Sequence, residues 1–300
     1  MNIMRKPGYT RKIVRLSNGT VEVEEYYTNR AGNHDRRAKK EKATPEQARR
    51  AYIQKRMKTL RWLMNENFQD GRDALATFSW GKRGKPPDTI KGIKDAAAIL
   101  IRRLREEYAK HGYELKYIYT VEIGPRGSRH IHMLISHAGE LPLMIMQRCW
   151  SGVVDIKPLY THGQYEDIAN YFVKQYAEKT ERTTGEELKR CFECSRNLKK
   201  PEITFEQIRE KDLKKDIEPP EGMILEKASV RQGVCQLTGR PYRFYRLLCT
   251  DEKKANCAGA TEKPVRQQVH EPARKGNRIT RAIDKAAGWI GGLFRKRRRP

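Results

Sequence analysis

The chain contains no run approaching the ~20 consecutive apolar residues of a membrane span. It has no Gly-x-x-x-x-Gly-Lys-[Ser/Thr] phosphate loop, and it is short of acid, with 37 acidic residues against 63 basic. The first absence argues against an integral membrane protein, and the second against a built-in nucleoside-triphosphate motor. Met1-Asn2-Ile3-Met4-Arg5-Lys6 also lacks the apolar core of a signal peptide, so the expected location is the cytoplasm. Six cysteines in 300 residues are too sparse for a secreted disulfide framework. Cys191-Phe192-Glu193-Cys194 is a lone CxxC, and without a compact second pair free thiols are favoured over structural zinc. The shortage of acid leaves a net charge of +26, a field that gathers polyanions and makes nucleic acid the first partner to consider, ahead of a membrane surface.

Along the chain, residues 12–16 and 21–27 flank the turn signal Ser17-Asn18-Gly19 and read as a hairpin. A basic segment, 36–42, precedes a helix that begins at Thr44-Pro45-Glu46-Gln47, with a capping residue and proline at the first helical position. Its polar face suits either a phosphate backbone or water. Strands are expected at 74–80, 116–123, 129–135 and 153–158, and helices at 90–111, 143–150 and 164–181. Tight hairpins separated by helices predict an α+β domain with a mostly antiparallel sheet and flanking helices. A charged helix over 204–216 and strands at 222–230 and 242–249 follow. The expected organisation is a basic hairpin and helix (1–69), a central domain (70–200), an extension packing on it (201–250) and a flexible basic tail (251–300). In that tail Ile279, Ile283, Ile290, Leu293 and Phe294 can form one helical face before a polybasic end, which suits a nucleic-acid surface or, less favoured, a membrane contact.

The densest chemistry lies in Arg129-His130-Ile131-His132-Met133-Leu134-Ile135. Alternate residues of a strand point the same way, so both imidazoles share one face. Gly124-Pro125-Arg126-Gly127-Ser128 is turn chemistry, and pairing symmetric about Arg126 sets Glu122 opposite His130. One carboxylate and two imidazoles then converge into a metal site with open positions.

Downstream, 168–179 holds Tyr171, Lys174 and Tyr176 in a helix. At ~100° per residue Tyr171 and Lys174 share a face, whereas Tyr176 lies about 140° from Tyr171. A phenol with a pKa near 10 needs a neighbouring cation or a polarised electrophile to attack at neutral pH. Lys174 and the metal site could supply these, with Tyr176 the weaker candidate. Tyr242, Phe244 and Tyr245 interleave with Arg240, Arg243 and Arg246. Strand alternation puts Arg243 and Tyr245 on one face as candidate nucleic-acid contacts, although core packing is the favoured role of the aromatics. Arg129 and Arg196 are further candidate contacts.

This ordered set resembles the His-hydrophobe-His nuclease superfamily, specifically the rolling-circle replication initiators of plasmids and small phages. Ala76-Thr77-Phe78-Ser79-Trp80 is similar to its first motif, Arg129-His130-Ile131-His132 with Glu122 to its second, and Tyr171 to Lys174 to its third. Ser195-Arg196-Asn197-Leu198 with Pro201 resembles a stretch that follows the nuclease helix in some members. The resemblance covers about residues 70–200. It implies a five-stranded antiparallel sheet with the histidines on a central strand, and Mg or Mn as the metal, with no small-molecule cofactor. It also implies nicking of single-stranded or hairpin origin DNA through a 5′-phosphotyrosyl intermediate. Two-tyrosine members often space their tyrosines by four, so a one-tyrosine mechanism carries over here. A host polymerase and helicase would complete replication. The rival readings are a relaxase or single-tyrosine transposase, and a basic nucleic-acid binder without catalysis. A non-haem iron oxygenase shares the two-His-carboxylate set but not the charge or the Tyr-x-x-Lys.

Overall fold

The computed structural model describes residues 8–28, 44–81, 84–124, 126–139, 142–159, 165–185, 190–235 and 239–250. The basic segment 36–42, Cys257 and the tail 251–300 lie outside them. The elements run β1 (Gly8–Arg15), β2 (Val21–Thr28), α1 (Pro45–Asn67), β3 (Ala74–Ser79), α2 (Ile90–Lys110), β4 (Tyr117–Ile123), β5 (Arg129–Ile135), α3 (Pro142–Cys149), β6 (Val153–Pro158), α4 (Glu166–Asn170), a π turn (Tyr171–Tyr176), α5 (Ala177–Thr184), β7 (Glu193–Cys194), β8 (Glu202–Ile208), β9 (Met223–Leu225), β10 (Arg231–Val234) and β11 (Pro241–Cys249). The chain is α+β, with two antiparallel sheets. No helix among the described residues is long and apolar enough to cross a membrane.

The five-stranded sheet has the order β6-β3-β5-β4-β7, which leaves β5 in the middle. Apolar residues dominate β3, β4 and β5, and alternation sends Ile131 and Met133, both fully buried, to the face opposite His130 and His132. Ile93, Ala97, Leu100 and Leu104, spaced three and four apart along α2, are buried in the same core as Phe78, Ile131 and Met133. Burying each such side chain contributes roughly 1.5–3 kcal/mol. Tyr108 satisfies its buried hydroxyl by donating to the Ser136 carbonyl at 2.7 Å.

The six-stranded sheet has the order β10-β11-β2-β1-β8, with β9 also on β11. The N-terminal hairpin and the strands after residue 201 are therefore one sheet. Helix α1 starts where its sequence predicts, with Thr44 and Gln47 forming a capping box and Pro45 in the first turn. It contributes to both cores: Leu60, Met64 and Phe68 enter that of the five-stranded sheet, while Trp62 packs with Val14 and Leu16. Several of its cations turn inward rather than toward a ligand: Lys58 pairs with Glu24, Arg61 with Glu22 and Arg49 with Glu181.

The helix expected over 204–216 is instead strand β8 followed by a 3-10 turn, Glu210–Lys214. Its charged residues suit a helix locally, but pairing with β1 gives them cross-strand partners: Arg11 with Glu206 at 3.4 Å and Arg15 with Thr204 at 3.1 Å. The strand expected over 222–230 is confined to β9, with a 3-10 turn at Lys227–Ser229.

Candidate active site

The β4–β5 hairpin has the register that its turn symmetry predicts, Glu122 opposite His130 and Thr120 opposite His132. Gly127 takes φ +72° in the turn, a conformation costly for an L side chain. On the other side β3 sets Ser79 beside His130 and Thr77 beside His132. The close approach of the β6 entry to β3 requires Gly152, because a Cβ there would lie 2.0 Å from the Ser79 carbonyl oxygen.

Glu122, His130 and His132 offer ligand atoms that all lie within 4.8 Å of one another. His132 Nε2 is 3.0 Å and His130 Nδ1 3.7 Å from the same carboxylate oxygen, Oε2. The other oxygen, Oε1, is 3.3 Å from Lys179 Nζ on α5. Burial disfavours the carboxylate charge, but hydrogen bonds from His130 and His132, together with Lys179, outweigh it and hold the Glu122 carboxyl well below the usual range. Burial pushes the His132 imidazole down, against the upward pull of Glu122. Its second nitrogen, Nδ1, is 3.2 Å from Thr77 Oγ1. The Thr of the first motif thus orients a candidate ligand of the second, a link that spacing alone does not reveal. Two imidazoles and a carboxylate, one imidazole fixed from behind by a hydroxyl, are a fitting donor set for a divalent cation.

The helix expected over 164–181 is interrupted. Residues 171–176 wind as a π turn, packed against β4 and α1. Its i→i+5 geometry advances roughly 80° per residue, so backbone positions 171 and 174 lie about 120° apart and positions 171 and 176 about 40°. The shared face expected for 171 and 174 therefore does not hold, and 171 and 176 come to one side. The Tyr171 side chain is 41% exposed. Of Lys174 and Tyr176 only the backbone is described. The lysine found at the carboxylate is Lys179, which the sequence reading did not select. Its signal was present as a second Tyr-x-x-Lys, Tyr176 to Lys179.

The candidate nucleic-acid contacts fare differently. Arg129 donates to Asp88 at 3.0 Å and to the Gly127 carbonyl, and Arg196 is exposed. Arg243 and Tyr245 share a face as expected, but that face is buried. Arg243 is 6% exposed and donates to Glu25 and to the carbonyls of Lys215 and Asp212. Both residues belong to the six-stranded sheet's interior, because an otherwise unpaired buried Glu25 requires the guanidinium. Cys149, Cys191, Cys194, Cys235 and Cys249 are free thiols.

Residues 87–181 match the family described as Replication-associated protein, of the ORF2 and gene-2-protein type. This segment is of that replication-associated family. The match agrees with the resemblance to rolling-circle initiators carried by the motifs. The replication-associated segment spans α2 to α5, so it holds Glu122, His130, His132, Tyr171 and Lys179; it leaves out β3, which carries Thr77, and the whole six-stranded sheet. No curated protein and no solved structure matches the chain significantly.

Proposed function

We propose that this chain nicks one strand of single-stranded or hairpin origin DNA through a tyrosine nucleophile and later rejoins it. The observation that carries the reading is the Glu122-His130-His132 cluster at the centre of an antiparallel sheet, beside a Tyr-x-x-Lys helix, inside a replication-associated segment. Glu122, His130 and His132 would hold a divalent cation; mixed imidazole and carboxylate donors suit Mn more readily than Mg. When bound, such a cation supplies Lewis-acid polarisation of the scissile phosphate. The Tyr171 phenol loses its proton and its oxygen attacks phosphorus. A new O–P bond forms, the bond to the 3′ oxygen breaks, and that oxygen leaves with a proton as a 3′-hydroxyl able to prime a polymerase. The same exchange run backwards releases the tyrosine. Lys179 holds Glu122 in its ionised form and places positive charge at the cleft. One observation favours a second reading, with Tyr176 as nucleophile: the lysine three residues after it is the one at Glu122. With no phosphate loop in the sequence, unwinding falls to a separate helicase.

The test incubates the protein with end-labelled single-stranded origin DNA and Mn or Mg and looks for a denaturant-resistant adduct. Tyr171→Phe is expected to abolish it and Tyr176→Phe to retain it; the reverse result selects the second reading. An absent wild-type adduct, or one that survives both substitutions, overturns the proposal. Mapping the nicked site separates an initiator from a relaxase or transposase.

A further inference from the structure

We infer that the six-stranded sheet sets the position of the helix carrying Tyr171, through an ion-pair strut from Arg246 and Arg61 to Glu166. The inference rests on the tyrosine chemistry proposed above. Arg246 projects from β11, and its Nη2 lies 2.7 Å from Glu166 Oε2 in the first turn of α4; Arg61 Nη1 of α1 is 3.9 Å from the same oxygen. Both arginines are nearly buried and also meet Glu22, which is itself held by the Trp62 indole N–H at 2.7 Å. Arg246 Nη1 has a further partner in Glu226 at 3.2 Å. Glu22 and Glu226 give this cationic pair acidic partners within the sheet and its flanking loop, yet the guanidinium fork extends across to α4. A buried network of this kind is directional, and its value lies more in specifying one arrangement than in net stability.

What it specifies is the start of a short, irregular helix. Five α-helical residues, Glu166–Asn170, lead directly into the π turn that begins at Tyr171. The residue before them, Tyr165, takes a left-handed conformation with φ +46°, a strained choice for a non-glycine residue. It is retained because the side chain is buried and its hydroxyl donates to the Phe68 carbonyl at 3.0 Å, at the C-terminal cap of α1. Two consecutive residues, one tied to α1 and the next to β11 and α1, thus fix where the helix begins, five residues before the phenol. Glu166 and Arg246 are positioning residues, since they act through Tyr171. A misplacement of about 1 Å can cost on the order of 10²-fold in rate. Releasing one of two anchors is accordingly expected to cost about tenfold.

Glu166 is half exposed, so Glu166→Ala removes the strut without opening the core. The experiment is single-turnover cleavage of labelled single-stranded DNA at saturating protein, read as both rate constant and amplitude, with DNA affinity measured in parallel. The expected result is a rate constant about tenfold lower, with full amplitude and unchanged affinity, and an equal loss in rejoining from the adduct. Lys12→Ala, which removes an ion pair with Glu24 in the same sheet without reaching the helix, is expected to leave the rate unchanged. A wild-type rate in Glu166→Ala, or a reduced amplitude at the wild-type rate, overturns the strut while leaving the tyrosine chemistry standing. A wild-type chain that forms no adduct overturns that chemistry, and the strut with it.

Discussion

Replacing Thr77 by valine tests the candidate centre at its least obvious contact. The two side chains are nearly isosteric, so the change removes one hydroxyl and leaves β3 paired with β5. His132 turns Nε2 toward Glu122 and Nδ1 toward Thr77 Oγ1 at 3.2 Å. For Nε2 to give its lone pair to a cation, the ring proton must sit on Nδ1, where the hydroxyl oxygen accepts it. Valine cannot accept, and the proton on Nδ1 then has no partner in a pocket where His132 is only 6% exposed. Loss of such an orienting partner typically weakens metal affinity 10- to 100-fold, about 1.4–2.8 kcal/mol. The expected cost to folding is smaller, about 1 kcal/mol for one hydrogen bond. Isothermal titration with Mn²⁺ should therefore show the affinity loss in Thr77→Val and near wild-type binding in Thr77→Ser, which keeps the hydroxyl. Wild-type affinity in the valine variant would refute the reasoning, as would an equal loss in both variants.

The pH dependence has a definite sign. The Glu122 carboxyl and the His132 imidazole are both held below their ordinary values of 4.5 and 6.5, so the folded chain binds fewer protons than the unfolded one as acid is added. Stability falls from near pH 6.5 downward, and the share due to the carboxylate falls from near pH 4.5. Glu122→Gln should flatten the drop in thermal midpoint below about pH 5, and an unchanged slope in circular-dichroism melts would contradict the assignment. Arg243→Met should cost about 3 kcal/mol in urea denaturation, the low end for breaking a buried pair, because Arg11 still holds Glu25 at 2.7 Å. Unchanged stability with weakened DNA binding would return Arg243 to the nucleic-acid surface.

What could be read from the sequence was local. A hairpin's register follows from its turn, so Glu122 could be set against His130 before the fold was known, and the central place of β5 came with the family resemblance. Helix α1 announced its start through Thr44 and Pro45. Three things were not legible for physical reasons. The π turn is a matter of one extra residue accommodated within a helix, and periodicity computed at 100° per residue is blind to it; Lys179 was passed over on that account. Strand β8 reads as a charged helix until β1 supplies its partners. Arg243 reads as a free cation until Glu25, more than two hundred positions away, is known to lie beside it.

The six-stranded sheet joins the first described strands to the last: β2 pairs with β11, Val23 opposite Tyr245. On the ribosome the early hairpin must therefore wait for almost the entire described chain before its partner emerges. Until then Glu22 and Glu25 lack the arginines of β11, and the edge of β2 is open to wrong partners. The central residues can assemble from nearer contacts, whereas closing this seam spans a long loop and comes late. A chain cut short before residue 241 is expected to keep the hairpin that bears the histidines yet lose this closure, making β11 the last piece whose arrival completes the molecule.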